Sequence, residues 1–221
     1  MPPADAAPAE APAARPSHGA GFQGSATEPL LRRALQVARP PSSDFDLDPA
    51  LPRPEGRALR RAAVLLAVDL SGGAPRVILT KRSAHLRHHP GQIALPGGKL
   101  DTGEDAARAA LREAREEVGL PGAEVLGSFG PHETVTGFSV TAVLALVRAP
   151  FTPVPEAGEV AEVFAVPLSH LADPGNFRVE GRRWQGRHRR YWVVPWGPYY
   201  IWGATGRVLK ELAERLETAR A

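Results

Sequence analysis

Apolar residues recur three and four apart at Leu30, Leu31, Ala34, Leu35 and Ala38, which places them on one side of a helix. The pattern predicts a helix over residues 28–38, stopped by Pro40 and Pro41. A connector containing Pro and Asp, residues 39–59, follows. The period then changes. Residues 61–70 (RAAVLLAVDL) form a short apolar run that predicts a buried strand, and residues 76–81 predict a second. Ser71, Gly72 and Gly73 between them predict a turn, so the pair reads as a hairpin. Residues 83–92 are polar, His-rich and closed by Pro90 and Gly91, which predicts a loop. A short strand at residues 93–96 then leads into a glycine turn, PGGKLDTG.

Helical spacing returns at Ala107, Ala110, Leu111, Ala114 and Val118. Thr102 is the expected N-cap, with Asp105 three residues on. Gly119 is the expected C-terminal stop, with Pro121 beyond it. Further strands are predicted at residues 124–131, 139–148 and 159–166, with a short helix at 167–172. Residues 176–194 read as a hairpin turning near residues 185–186. Residues 203–217 form an amphipathic helix with Val208, Leu209, Leu212 and Leu216 on one side. Strands interrupted by one central helix and closed by another predict an α/β sandwich with a mixed β-sheet.

Composition narrows this picture. The chain has 221 residues, 43% of them hydrophobic, enough for one good-sized domain with extensions. The expected division is an Ala/Pro-rich disordered tail at 1–25, a helix and connector at 26–59, and the main domain at 60–218. The tail has no apolar h-region and is not expected to be a secretory signal. The absence of cysteine excludes disulfides, thiolate metal sites and cysteine nucleophiles. It fits a reducing compartment, and a cytoplasmic location is expected. No apolar run is long enough to span a bilayer, so no membrane partner is expected. The net charge of +3 suits an anionic small-molecule substrate and is weak support for nucleic acid. A basic run interleaved with aromatics, residues 182–192, could stack on single-stranded nucleic acid, but a hairpin with one exposed face looks the same. No nucleic-acid partner is expected. Trp196, Tyr199, Tyr200 and Trp202 are expected to pack the last helix or line a cleft.

The candidate chemistry lies at residues 98–120, GKLDTGEDAARAALREAREEVGL. Glu113, Glu116 and Glu117 fall three and four apart, on one helix face. Carboxylates that close raise one another's pKa unless something positive neutralises them. A hard cation with oxygen ligands, Mg²⁺ or Mn²⁺, is the economical neutraliser. A charge-rich helix is more often a solvated face, but two features oppose that here. The acids lie beside the apolar stripe rather than opposite it, and a glycine turn precedes them. Arg112, four residues before Glu116, is placed to hold a carboxylate.

Gly98, Glu104, Arg112, Glu113, Glu116, Glu117 and Gly119 stand in register with the Nudix box, G-x5-E-x7-R-E-U-x-E-E-x-G-U, where U is aliphatic. Ala114 and Leu120 fill the aliphatic places. The chain therefore resembles a Nudix hydrolase. The preceding LTKRSAHLRHHPGQIALPGG, residues 79–98, is similar to the accessory motif of the coenzyme A pyrophosphatase subfamily, with Leu95 where Phe is usual. The likeness extends through residues 159–168 and 201–212.

The resemblance implies a Nudix-like α/β/α sandwich that hydrolyses the diphosphate of coenzyme A or acyl-CoA. It implies Glu113 and Glu117 as main metal ligands, Glu116 assisting, and the carbonyl of Gly97 as a further ligand. Arg112 takes an orienting role and Glu104 supports the helix start. Glu159 is the candidate general base. Arg82 is the leading phosphate contact, with Lys81, Arg87, Gly97 and Gly98 beside it. A homodimer is expected by resemblance alone. Two alternatives remain open: another nucleoside diphosphate derivative such as ADP-ribose, and a non-catalytic nucleotide-binding domain.

Overall fold

The computed structural model describes residue 22 and residues 24–54, 56–184 and 186–221. Most of the predicted N-terminal tail lies outside them. Phe22, within that tail, is apolar and buried, with the Arg220 guanidinium over its ring. A short 3-10 turn, Gly24–Ala26, leads into helix α1, Thr27–Gln36.

The strands are β1 (Ser42–Ser43), β2 (Arg60–Asp69), β3 (Arg76–Arg82), β4 (Ile93–Ala94), β5 (Gly97–Lys99), β6 (Glu124–Glu133), β7 (Phe138–Val147), β8 (Val160–Pro167), β9 (Arg178–Trp184), β10 (Arg187–Trp196) and β11 (Tyr199–Trp202). The other helices are α2 (Ala106–Val118), α3 (Leu168–Leu171) and α4 (Gly203–Arg220). The main sheet runs β1-β6-β7-β2-β3-β4, with β5 also on β2 and β8 on β3. It is mixed, since β2 lies parallel to β7 and β1 parallel to β6 while the other pairs are antiparallel. Strands β9, β10 and β11 form a second, antiparallel sheet.

The apolar run of β2 has the composition of a strand covered on both faces. Leu66 and Val68 point into a core shared with α1 and α4, while Ala63, Leu65 and Ala67 point into a core with α2. Helices thus cover both faces, and the fold is the expected α/β/α sandwich. Helix α2 lays Ala109, Ala110, Ala114 and Val118 on the sheet; small side chains let its backbone approach closely. No helix among the described residues is long and apolar enough to cross a membrane.

Three local expectations are corrected. The N-cap of α2 is Asp105, whose carboxylate accepts from Arg108 N at 2.8 Å. Thr102 is excluded because residues 101–104 close a turn of their own, with Glu104 N donating to Asp101 O. The predicted strand and glycine turn are instead two strands on different neighbours. β4 pairs with β3, and β5 pairs with β2, Gly98 opposite Ala63. The connector, finally, supplies β1 and ends in a wall of the main cleft.

Candidate active site

β5 and α2 are joined by a short turn, so the glycines face the helix's acids. A Cβ on Gly98 would lie 2.3 Å from Glu113 Oε1; the missing side chain is the space that Glu113 occupies. Gly97 N donates to Glu117 Oε2 at 3.1 Å. At the other end of α2, Gly119 takes a left-handed conformation, φ 69°, which glycine adopts without a Cβ penalty. The loop after residue 150 then docks there, as Val154 N donates to Val118 O and Glu156 N to Glu117 O. That loop carries Glu159, whose amide bonds to Glu156 and whose carbonyl accepts from Ser83 N.

Arg112 is the hub of the acids. Its guanidinium donates to both oxygens of Glu104 at 3.1 Å, to Glu113 at 2.9 Å, to Glu116 at 3.2 Å and to the Lys99 carbonyl at 3.1 Å. Its own pKa is raised, first by the Glu104 hydrogen bonds. Glu104 also accepts from Asp101 N, so it anchors the arginine and the turn.

Glu113 and Glu116 both accept from Arg112 Nη1, while Glu117 accepts from the Gly97 amide. The Glu117 side chain is buried, and burial pushes its carboxyl up to about 7. The Gly97 amide and Arg82 oppose that rise, while the charges of Glu113 and Glu159 add to it. Glu113 is raised by burial too, against Arg112. Glu116 lies outside this pocket, with its side chain 59% exposed on Arg112. Among the described residues no three acids or histidines stand gathered as a ready metal cluster. The charges of Glu113, Glu159 and Arg82 nevertheless all act on Glu117, and those of Glu116 and Glu159 act on Glu113.

A cleft of about 1330 Å³ opens beside them. It does not include the carboxylates themselves. Arg82 joins the two, lining the cleft while its charge reaches Glu117. Its Nε is buried with no hydrogen-bond partner. Lys81 and Arg87, expected beside it, line no part of the cleft. Lys81 is exposed at the end of β3, where the pairing with β8 shifts register between Lys81 and Arg82, and Arg87 is exposed on its loop.

Of the cleft's other walls, only Trp202 was anticipated from sequence, as a residue that packs the last helix or lines a cleft. The connector gives Asp44, Phe45, Leu51 and Arg57, and β5 gives Lys99. The hairpin gives Arg182, Arg187 and Arg189, and β11 with the start of α4 gives Trp202 to Thr205. The alternating arginines were visible as a basic run, but nothing in the sequence said which way they faced.

Comparison with known proteins places this geometry. The family model described as the NUDIX domain matches residues 59–185. A Cronobacter sakazakii protein described as the uncharacterized Nudix hydrolase NudL is 40% identical over 157 residues, covering 70% of this chain and 81% of its own. A Citrobacter koseri protein of the same description is 39% identical over 167 residues, covering 73% and 86%. Among solved structures, a Nudix hydrolase from M. smegmatis, RenU, is 33% identical with a TM-score of 0.44, covering 51% of this chain and 73% of its own. A MutT protein from Methanosarcina mazei Go1 is 19% identical with a TM-score of 0.47, covering 76% and 99%.

Proposed function

The chain belongs to the Nudix family, and on that premise we propose that it cleaves the diphosphate of coenzyme A, or of acyl-CoA: CoA + H₂O → 3′,5′-ADP + 4′-phosphopantetheine. Membership makes it a hydrolase of phosphoric anhydrides acting on a nucleotide-derived substrate. The step to coenzyme A is carried by Arg82. This residue belongs to the accessory segment, lines the cleft, reaches Glu117 with its charge and keeps a buried donor without an acceptor. A diphosphate oxygen is the acceptor that such a guanidinium fits.

Nudix hydrolases generally need a divalent metal ion, and the residues here suit one. Glu113 and Glu117 are both held above the ordinary carboxylate range by burial, and Glu113's charge raises Glu117 further. A shared cation would let both ionise. The donor set is oxygen only, which favours Mg²⁺ or Mn²⁺. Glu113 and Glu117 would hold it with the Gly97 carbonyl, and Glu116 directly or through water. When bound, it neutralises phosphoryl oxygens and acidifies the attacking water.

The chain's own residues do the rest. The Gly97 amide and Arg112 hold the Glu117 and Glu113 carboxylates in place. Arg82 forks onto the diphosphate and orients it. Glu159, on the loop pinned to the end of α2, accepts the proton of the water that attacks phosphorus in line.

Product analysis after incubation with CoA and Mn²⁺ tests the reading. Equal amounts of 3′,5′-ADP and 4′-phosphopantetheine are expected, with slower turnover of ADP-ribose and dinucleoside polyphosphates. No preference for CoA or acyl-CoA over those substrates would overturn it.

A further inference from the structure

The second sheet has no place in the proposed chemistry, yet four of its arginines, Arg182, Arg187, Arg189 and Arg190, line the cleft. Arg182 stands directly opposite Arg189 in the β9–β10 ladder, and Arg187 lies two residues before Arg189. Side chains alternate along a strand and share a face with the residue opposite. The three therefore occupy one face, and all of them line the cleft. Like charges directly opposite each other destabilise a sheet.

Two other arginines of this hairpin have acids. Arg178 pairs with Glu180 and Arg190 with Asp48. Arg189 lies over the Phe45 ring, and its charge reaches Asp44. Arg182 and Arg187 have no ion pair among the described residues. Arg182 instead lies on the Trp202 ring, 4.3 Å from its centroid, which fixes a planar donor at the cleft wall.

More positive charge faces it. Arg82, His88 and His89 line the cleft, and Arg182 and Arg82 both act on His89. Asp44 is the one acid among the described lining residues, and it is occupied by His132 and Val135 N. Arg82 is common to both ends: it lines the cleft with Arg182 and Arg187, and its charge also reaches Glu117. The first residues of α4 open onto the same wall, and their N-cap, Trp202, provides no side-chain acceptor.

We infer that the β9–β10 hairpin forms a second anion subsite, in which Arg182 and Arg187 grip a phosphomonoester of the substrate away from the diphosphate that is cleaved. The inference rests on the proposed coenzyme A reading, where that group is the 3′-phosphate of the adenosine. Fork-shaped guanidinium donors match a terminal phosphate better than point charges do. The subsite acts in binding and selection and takes no part in bond cleavage.

Calorimetric titration of the full chain with three adenine nucleotides tests this without turnover. The probes are adenosine 3′,5′-bisphosphate, AMP, and ADP, which has both phosphates at the 5′ end. The bisphosphate should bind at least roughly tenfold tighter than either of the others, about what one charge-assisted contact yields. Arg182→Ala with Arg187→Ala should erase the preference while leaving AMP binding unchanged. Arg187→Ala alone, at an exposed position, should reduce it and guards against a folding defect. Equal binding of the bisphosphate and ADP by the parent chain would overturn the subsite, as would a preference that survives in the double variant. Failure to hydrolyse CoA would sink the proposed activity and leave this binding comparison to be judged separately.

Discussion

Glu117 and Asp44 are both largely buried carboxylates, Asp44 in the cleft wall and Glu117 reached by the charge of the cleft's Arg82, and their pKa values move in opposite directions. At Asp44 burial is the largest influence and would raise the pKa, but the His132 hydrogen bond and charge, with the Val135 amide, hold it below its ordinary value. His132 Nε2 lies 3.1 Å from Asp44 Oδ1, Val135 N donates to Oδ2 at 2.8 Å, and His132 Nδ1 faces Ser42 Oγ at 3.0 Å. Each polar atom of that cluster has a partner, and the result ties β1 to β6. At Glu117 burial wins, because one amide and a shared arginine charge do not balance it and two neighbouring acids add to it. A completed cluster builds structure. An incomplete one, left short of positive charge beside a cleft, is what a reaction site with an exchangeable cation looks like.

Removing the incomplete acid should therefore cost activity, and removing a completed partner should cost stability. Glu117→Gln is expected to lower kcat about a thousandfold, the scale of losing a group that supports transition-state charge. Its unfolding midpoint should stay at or above that of the parent, since the substitution removes a disfavoured charge. Turnover close to the parent's would refute the assignment of Glu117. His132→Leu should do the reverse. It strands Asp44 and Ser42, and the chain should lose about 3 kcal/mol of stability in urea unfolding, with KM for CoA little changed at temperatures where it is folded.

The two regions also differed in how far the sequence disclosed them. The acidic helix was legible because its residues are local: apolar spacing, a C-terminal glycine and four acids all lie within residues 98–120. What was missed there was equally local. Asp105 replaced Thr102 as cap because the preceding turn used its own backbone, and the sequence did not show that Arg112 would bind Glu104, Glu113 and Glu116 at once. Asp44 and His132 are 88 residues apart, and the connector around Asp44 has no periodicity to mark it. Only the strand pairing of Ser42 with His132 brings them together. The hairpin arginines lie between these cases, visible as a basic run whose facing depended on how the second sheet meets the first.

Arg112 sharpens the comparison, since it supplies the site with the order that Asp44 receives from His132. Arg112→Ala should release Glu104, Glu113 and Glu116 together. A loss of about ten- to a hundredfold in kcat/KM is expected, as for residues that orient metal ligands, and raising Mn²⁺ should recover part of it. Arg112→Lys should recover little, because one ammonium cannot donate in a fork to Glu104 while also reaching Glu113. If excess metal makes no difference to the alanine variant, the orienting role fails.

The smallest effect concerns acid. A carboxyl whose folded pKa is depressed contributes stability that is fully present above its unfolded value, and that contribution is lost as the pH falls through the lowered folded value. Asp44 is such a group, with an ordinary value of 3.8. Asp44→Asn keeps the size and the acceptor for Val135 N but has no charge to lose. Urea unfolding of parent and variant should differ by a constant amount from neutral pH down to about 4, and the gap should close below that. Glu117, raised rather than lowered, contributes in the opposite sense: with a folded value of about 7, its protonation should draw the parent and Glu117→Gln together as the pH falls from neutral toward the ordinary 4.5, before the Asp44 gap begins to close. A gap between parent and Asp44→Asn that persists unchanged into strong acid would mean that the His132 contact does not favour the ionised acid. The contrast between a completed and an incomplete carboxylate would then fall with it.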